Sequence, residues 1–220
     1  ALAHESIYRV GAQAMAQGQY PRARELFLQI PDYEDAGEQA DEAVYLPALA
    51  LVKEGKFQEA LEAFAQIPDY KDTPQQVQEV QYKQASAHMS AQDYDSAIEL
   101  YTSLGSYADS PARIQAALYE KAGQLLAAGG YLEAIDQYAA LEGYGDSSAK
   151  IQEAKYLLAR SHKEKEEYQQ AITLLSALGK YKDAPAQLSA CRYAQATLWL
   201  EAGELQNAAE AFEALGKYED

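Results

Sequence analysis

Cysteine, tryptophan, methionine, histidine and positive charge are all scarce in this chain of 220 residues. The lone Cys191 excludes an internal disulfide framework and sits at a position held in other periods by Ala43, Val80, Ala117 and Ala154, where it reads as a small packed residue. Three histidines form no His-x-x-x-His pair and no Cys/His cluster, so no metal site is expected. His88 and His162 lie in equivalent positions two periods apart, roughly 20 Å if helical layers are about 10 Å thick. No run of 18 apolar residues and no charged-then-apolar leader occurs, so no membrane insertion by this segment is expected. With 18 basic against 34 acidic residues the net charge is −16, which repels a nucleic-acid backbone or an anionic membrane surface. There is no phosphate-binding glycine loop and no Gly-x-Ser-x-Gly, which argues against an enzyme. No catalytic residue and no cofactor is assigned.

Tyrosine, by contrast, is abundant, with 18 copies, and it recurs. The first residue of a Tyr-x-Asp triplet stands at Tyr33, Tyr70, Tyr107, Tyr144, Tyr181 and Tyr218, each 37 residues from the last. A fixed period of this size marks a solenoid whose units bury their apolar faces against their neighbours. One array over 1–220 is expected, with approximate repeats 1–34, 35–71, 72–108, 109–145, 146–182 and 183–220. Six full periods would need two more residues, and this clean phase points to a segment of a longer protein.

Each period reads as two helices. The first should follow Asp35, Asp72, Asp109, Asp146 or Asp183, whose carboxylate suits a helix N-terminus and can accept from its free N–H groups. Pro74, Pro111 and Pro185 fall inside the first turn, where a missing N–H costs nothing. Glu38 and Gln75 add capping-box partners in two copies. The helix should end at Gly18, Gly55, Gly129 or Gly203; Gln92 and Glu166 replace glycine in two periods, where a different turn or some strain is expected. The second helix carries Phe57, Ala60, Leu61, Phe64 and Ile67 on one face. Small residues at Ala23, Ala60 and their equivalents, and at Gly11, Ala48, Ala85, Ala122, Ala159 and Ala196, predict close helix crossings.

The set Ala48, Leu51, Gly55, Phe57, Ala60 and Phe64, with its equivalents through the six periods, resembles the tetratricopeptide repeat. The period is longer than the usual 34 or so residues. The family's early tryptophan is absent, and its proline after the second helix gives way to Tyr-x-Asp. The resemblance implies an all-α fold, a right-handed α-solenoid of six two-helix units. It also implies a non-catalytic scaffold that binds a protein or peptide, and the Tyr-x-Asp variant resembles bacterial arrays. The alternatives are a structural spacer between flanking domains and a sensor of small molecules or cell-wall fragments.

If the family's geometry carries over, the first helices line the binding surface. Glu5, Glu42, Glu79 and Glu153 share one position there, beside Gln78, Gln115 and Gln152, and such a lining would suit a basic or extended peptide. A plain solvated face is the competing reading. A second tyrosine ladder, Tyr8, Tyr45, Tyr82, Tyr119, Tyr156 and Tyr193, is either an aromatic floor for a peptide or a packing contact between adjacent first helices. Its sameness in all copies favours contact. Lys53 and Arg160 are isolated, so the carboxylate clamp of some chaperone-associated family members is not carried over. The basic stretch Lys150, Lys155, Arg160, His162, Lys163 and Lys165 has glutamates interleaved and reads as local charge balance. Trp199 reads as core filling. Phe212 and Leu215 are expected to be partly uncovered at the last unit, which would allow end-to-end self-association.

Overall fold

The computed structural model describes residues 2–216, so Tyr218 and the last Tyr-x-Asp triplet lie outside the described residues. Twelve helices and no strand occur among those described. Five of the first helices of the repeats have 18 residues each and start 37 apart: α3 (Ala36–Lys53), α5 (Thr73–Ser90), α7 (Ser110–Ala127), α9 (Ser147–Glu164) and α11 (Ala184–Glu201), preceded by α1 (Leu2–Ala16). The second helices are α2 (Tyr20–Phe27), α4 (Phe57–Phe64), α6 (Tyr94–Leu104), α8 (Tyr131–Ala140), α10 (Tyr168–Leu178) and α12 (Leu205–Leu215). The chain divides into two compact units, Ala1–Ile114 and Gln115–Asp220.

Within each unit the buried residues are the expected small ones. Ala23, Ala60 and Ala97 in the first unit, and Ala134 and Ala171 in the second, are fully buried. So are Ala48, Ala85, Ala122, Ala159 and Ala196 on the facing helices. They let the helices approach closely enough for one large side chain per repeat to fill the centre: Phe27, Phe64, Tyr101, Tyr138 or Leu175, all buried. A Cβ at Gly11 would meet the Phe27 ring at 2.9 Å, so that crossing is tighter still. Where the central ring is a tyrosine, the first helix adapts. Ser86 hydrogen-bonds the Tyr101 hydroxyl at 2.9 Å, and Gly123 makes room for that of Tyr138.

The turn after each first helix has one form in all six repeats. The N–H of Gly55 bonds Val52 O and that of Lys56 bonds Leu51 O, the paired bonds of a Schellman motif, with a left-handed residue between. Gln92 and Glu166 adopt that same conformation, with φ of 60° and 59°. The different turn expected for them does not occur; the hydrogen bonds force a side-chain-bearing residue into a region that favours glycine. The second helices do differ. Pro31 and Pro68 follow α2 and α4, so the family's proline is present in two repeats after all, and these helices stop three positions earlier than α6 and α10. A proline disfavours the helical conformation of the residue before it.

The aspartates do not cap in the expected way. Asp35, Asp72, Asp146 and Asp183 make no side-chain bond to the first-turn N–H groups, and Glu38 and Gln75 build no capping box with them. Their carboxylates are engaged elsewhere, as described below.

Ala85→Leu, at a closed crossing, should cost about 1–3 kcal/mol in urea denaturation, whereas Ala87→Leu on the exposed side of the same helix should change little. Glu166→Gly should raise stability by about 1 kcal/mol by removing the left-handed strain; an unchanged or lower midpoint would show that this turn is relaxed.

Candidate ligand-binding face

The two tyrosine ladders and the aspartates form one device. Tyr8, Tyr45, Tyr82, Tyr119 and Tyr156 each donate a short hydroxyl hydrogen bond to the aspartate 27 residues on, at Asp35, Asp72, Asp109, Asp146 and Asp183. In Asp35, Asp72, Asp109 and Asp183 the second carboxylate oxygen accepts from a side chain one turn into the same helix: Gln39 at 2.9 Å, Gln76 at 2.8 Å, Arg113 at 3.0 Å and Gln187 at 2.9 Å. Both oxygens are therefore turned away from the helix end. The rings of Tyr8, Tyr45, Tyr82 and Tyr119 each lie edge-on to two others, and that of Tyr156 to one. Tyr45 contacts Phe64 at 6.0 Å and Tyr70 at 5.8 Å; Tyr119 contacts Tyr138 at 5.4 Å and Tyr144 at 5.9 Å. The first-helix tyrosines are thus held by their own chain at both ring and hydroxyl; Tyr45 and Tyr156 are buried, whereas Tyr8, Tyr82 and Tyr119 are half-buried.

These bonds shift the groups that make them. Donation to Asp35 and Asp72, with desolvation second, pushes Tyr8 and Tyr45 up from 10.0 to about 12, and Tyr82, Tyr119 and Tyr156 rise for the same reason. The same hydrogen bonds lower Asp35, Asp72, Asp109 and Asp183 below the ordinary 3.8.

The four glutamates are half-buried, and each has one cation of its own. Glu5 pairs with Arg9 at 2.5 Å and Glu79 with Lys83 at 2.6 Å, one turn along the same helix. Glu42 instead takes Lys71 at 2.5 Å from the following Tyr-x-Asp triplet, together with the Tyr70 hydroxyl at 2.8 Å. Glu153 does the same with Lys182 and with the Tyr181 hydroxyl at 2.7 Å. Lys71 and Lys182 were not legible as partners from either position alone. The signal lies in comparing two: where residue x of Tyr-x-Asp is lysine, the helix position four after the glutamate is Leu46 or Leu157; where x is Glu34 or Ala108, that position is Arg9 or Lys83. Gln78 in the first unit, and Gln115 and Gln152 in the second, are exposed. The basic stretch is locally tied, with Lys163 on Gln187 at 2.7 Å, His162 on Glu167 at 2.6 Å and Arg160 near Glu164 at 3.9 Å. Cys191 is buried, as its position among alanines implied, and Trp199 is half-buried beside Ile172, Arg192 and Gln195. Phe212 and Leu215 are half-buried, with Phe212 edge-on to Tyr193 at 5.5 Å. Among the described residues no three His, Cys, Asp or Glu side chains converge on a metal position, and no helix is long and apolar enough to cross a membrane.

Paired helices that repeat every 37 residues, each joined to the next by the same tyrosine–aspartate bond, define an all-α helical-repeat protein. Residues 11–77 and 45–111 match the tetratricopeptide repeat model. The equivalent positions recur through the remaining periods, and the chain is a tetratricopeptide-repeat-like array. Among solved structures it is similar to a tetratricopeptide repeat protein from Parabacteroides merdae, at 16% identity over 98% of this chain and 79% of the other, with a TM-score of 0.25. It is similar also to BtubC from P. vanneervenii, at 17% identity over 97% and 89%, TM-score 0.24. A third is a Podosopora anserina protein with nearly identical TPR-like repeats, at 18% identity over 83% and 96%, TM-score 0.22. Overlaps this low carry no weight; the family rests on the repeat model and the unbroken period. Comparison with curated proteins gives no match.

Stability should depend on pH on both sides. An aspartate lowered by folding contributes stability that is complete above its unfolded value and lost as pH falls through the folded one; a tyrosine raised by folding contributes below 10.0 and loses it as pH rises through about 12. The urea midpoint should therefore fall below pH 3.8 and again between 10.0 and about 12. Tyr45→Phe with Tyr156→Phe, one in each unit, should lower the neutral-pH midpoint and flatten both limbs.

Proposed function

We propose that the array is a non-catalytic scaffold that holds an extended, lysine- or arginine-bearing peptide along its first-helix face. Arrays of this family generally serve as protein-interaction scaffolds. The finer reading is supported by one observation made in each unit separately: Gln78 in the first, beside Glu79, and Gln152 in the second, beside Glu153, stay exposed, as does Gln115, while the tyrosine hydroxyls on the same helices are used internally. Amide side chains both donate and accept, which is what an extended backbone requires, and half-exposed carboxylates select positive side chains. The resemblance of the Tyr-x-Asp variant supports a bacterial parent protein.

A structural spacer has one observation in its favour, namely that each of the four glutamates already has an internal cation. The two readings separate in a calorimetric titration with an alternating Lys-Ser dodecapeptide against its Glu-Ser counterpart. The scaffold reading expects saturable binding of the first only, weakened severalfold by Gln78→Ala with Gln115→Ala and by added salt. Equal heats for both peptides, or none, would favour the spacer.

A further inference from the structure

In two repeats the chain carries its own ligand. Lys71 Nζ sits 5.2 Å from the Tyr45 ring centroid, 5.0 Å from that of Tyr70 and 2.5 Å from Glu42 Oε2. Lys182 repeats this over Tyr156 and Tyr181, at 5.1 and 5.4 Å, with Glu153 as its carboxylate. Two aromatic faces and one carboxylate are a suitable environment for an ammonium group, since the ring quadrupoles and the anion attract it together.

The third repeat has the same pair of rings without the lysine, and its glutamate pairs with Lys83 rather than with the second tyrosine hydroxyl. Tyr82 and Tyr107 meet edge-on at 6.0 Å and 64°, as Tyr156 and Tyr181 do at 6.0 Å and 66°. Glu79 holds the position of Glu42 and Glu153, but the residue between Tyr107 and Asp109 is Ala108. The carboxylate is correspondingly more open: the Glu79 side chain is 47% exposed, against 22% for Glu42 and 29% for Glu153. Lys83 reaches only one of its oxygens, Oε1, in an exposed pair of the kind that contributes little. Arg113 lies at the far, hydroxyl end of Tyr82, bound to Asp109. The first repeat is built differently, with Glu34 at the lysine position and His4 edge-on to Tyr33 at 5.8 Å.

We propose that the recess of Glu79, Tyr82 and Tyr107 binds a primary ammonium group, the lysine side chain of a partner, in the place that Lys71 and Lys182 fill from within their own repeats. This deepens the peptide-scaffold reading and rests on it for the identity of the partner, though not for the chemistry of the recess.

The test is a titration of the whole chain with n-butylammonium chloride, against n-butanol and sodium chloride, read by the ring resonances of Tyr82 and Tyr107. The ammonium alone should shift them. Ala108→Lys places the internal ligand in the recess, and residue 108 already has the φ of 49° that Lys71 (48°) and Lys182 (46°) adopt. That variant should need about tenfold more n-butylammonium for the same response. Lys71→Ala should open a second recess, with new shifts at Tyr45 and Tyr70. The proposal falls if Tyr82 and Tyr107 do not respond, if n-butanol shifts them equally, or if Ala108→Lys leaves the response unchanged. Ammonium binding here with no binding of the Lys-Ser peptide would uphold the recess and sink the scaffold reading. Peptide binding indifferent to Ala108→Lys would do the reverse.

Discussion

A single hydroxyl proton ties one repeat to the next. In each linked pair a tyrosine on a first helix gives its hydrogen to the aspartate that opens the following first helix, and its ring is wedged between two other side chains. The arrangement constrains everything near it. The ring must be aromatic to fill the wedge and must carry a hydroxyl to reach the carboxylate, which is why this position does not vary while its neighbours do. The carboxylate cannot serve the helix end as a cap because both its oxygens are occupied from the side. It still places negative charge at the helix N-terminus, where the peptide dipoles favour it.

Much of this was legible in the sequence, and the rest was hidden for a definite reason. Alternation of small and aromatic positions identified the helices, the buried faces and the crossings, because close contact leaves room only for alanine at positions such as Ala85 and Ala97. Strict periodicity, however, cannot tell which member of one ladder meets which member of another. Every tyrosine ladder is spaced by 37 from itself, so a bond across 27 residues looks no different from one across 10. At Gln92 and Glu166, where a different turn or some strain was expected, the structure takes the second course: local preference opposes the left-handed conformation, and two hydrogen bonds fixed by the neighbouring helices override it.

The charge distribution gives the first-helix face its character. A chain with a net charge of −16 could have presented a strongly acidic ladder there, yet Glu5, Glu42, Glu79 and Glu153 are each balanced by one cation. Two of those cations come from the same helix and two from the next turn, and the choice is written at residue x of Tyr-x-Asp. That one position therefore decides whether the tyrosine pair beside it is covered or open. Repeats that share the same first helix and the same turn become unlike in what they display.

The span of the linking bonds has a kinetic consequence. Tyrosine and aspartate lie 27 residues apart in all five links, and the glutamate–tyrosine bonds bridge 28. No distant segment has to be found before a repeat can fasten to its neighbour, so the search each link requires is brief and the entropy of closing its loop modest. Assembly can begin wherever two adjoining helix pairs first meet and spread outward from that point by repetition of a single step.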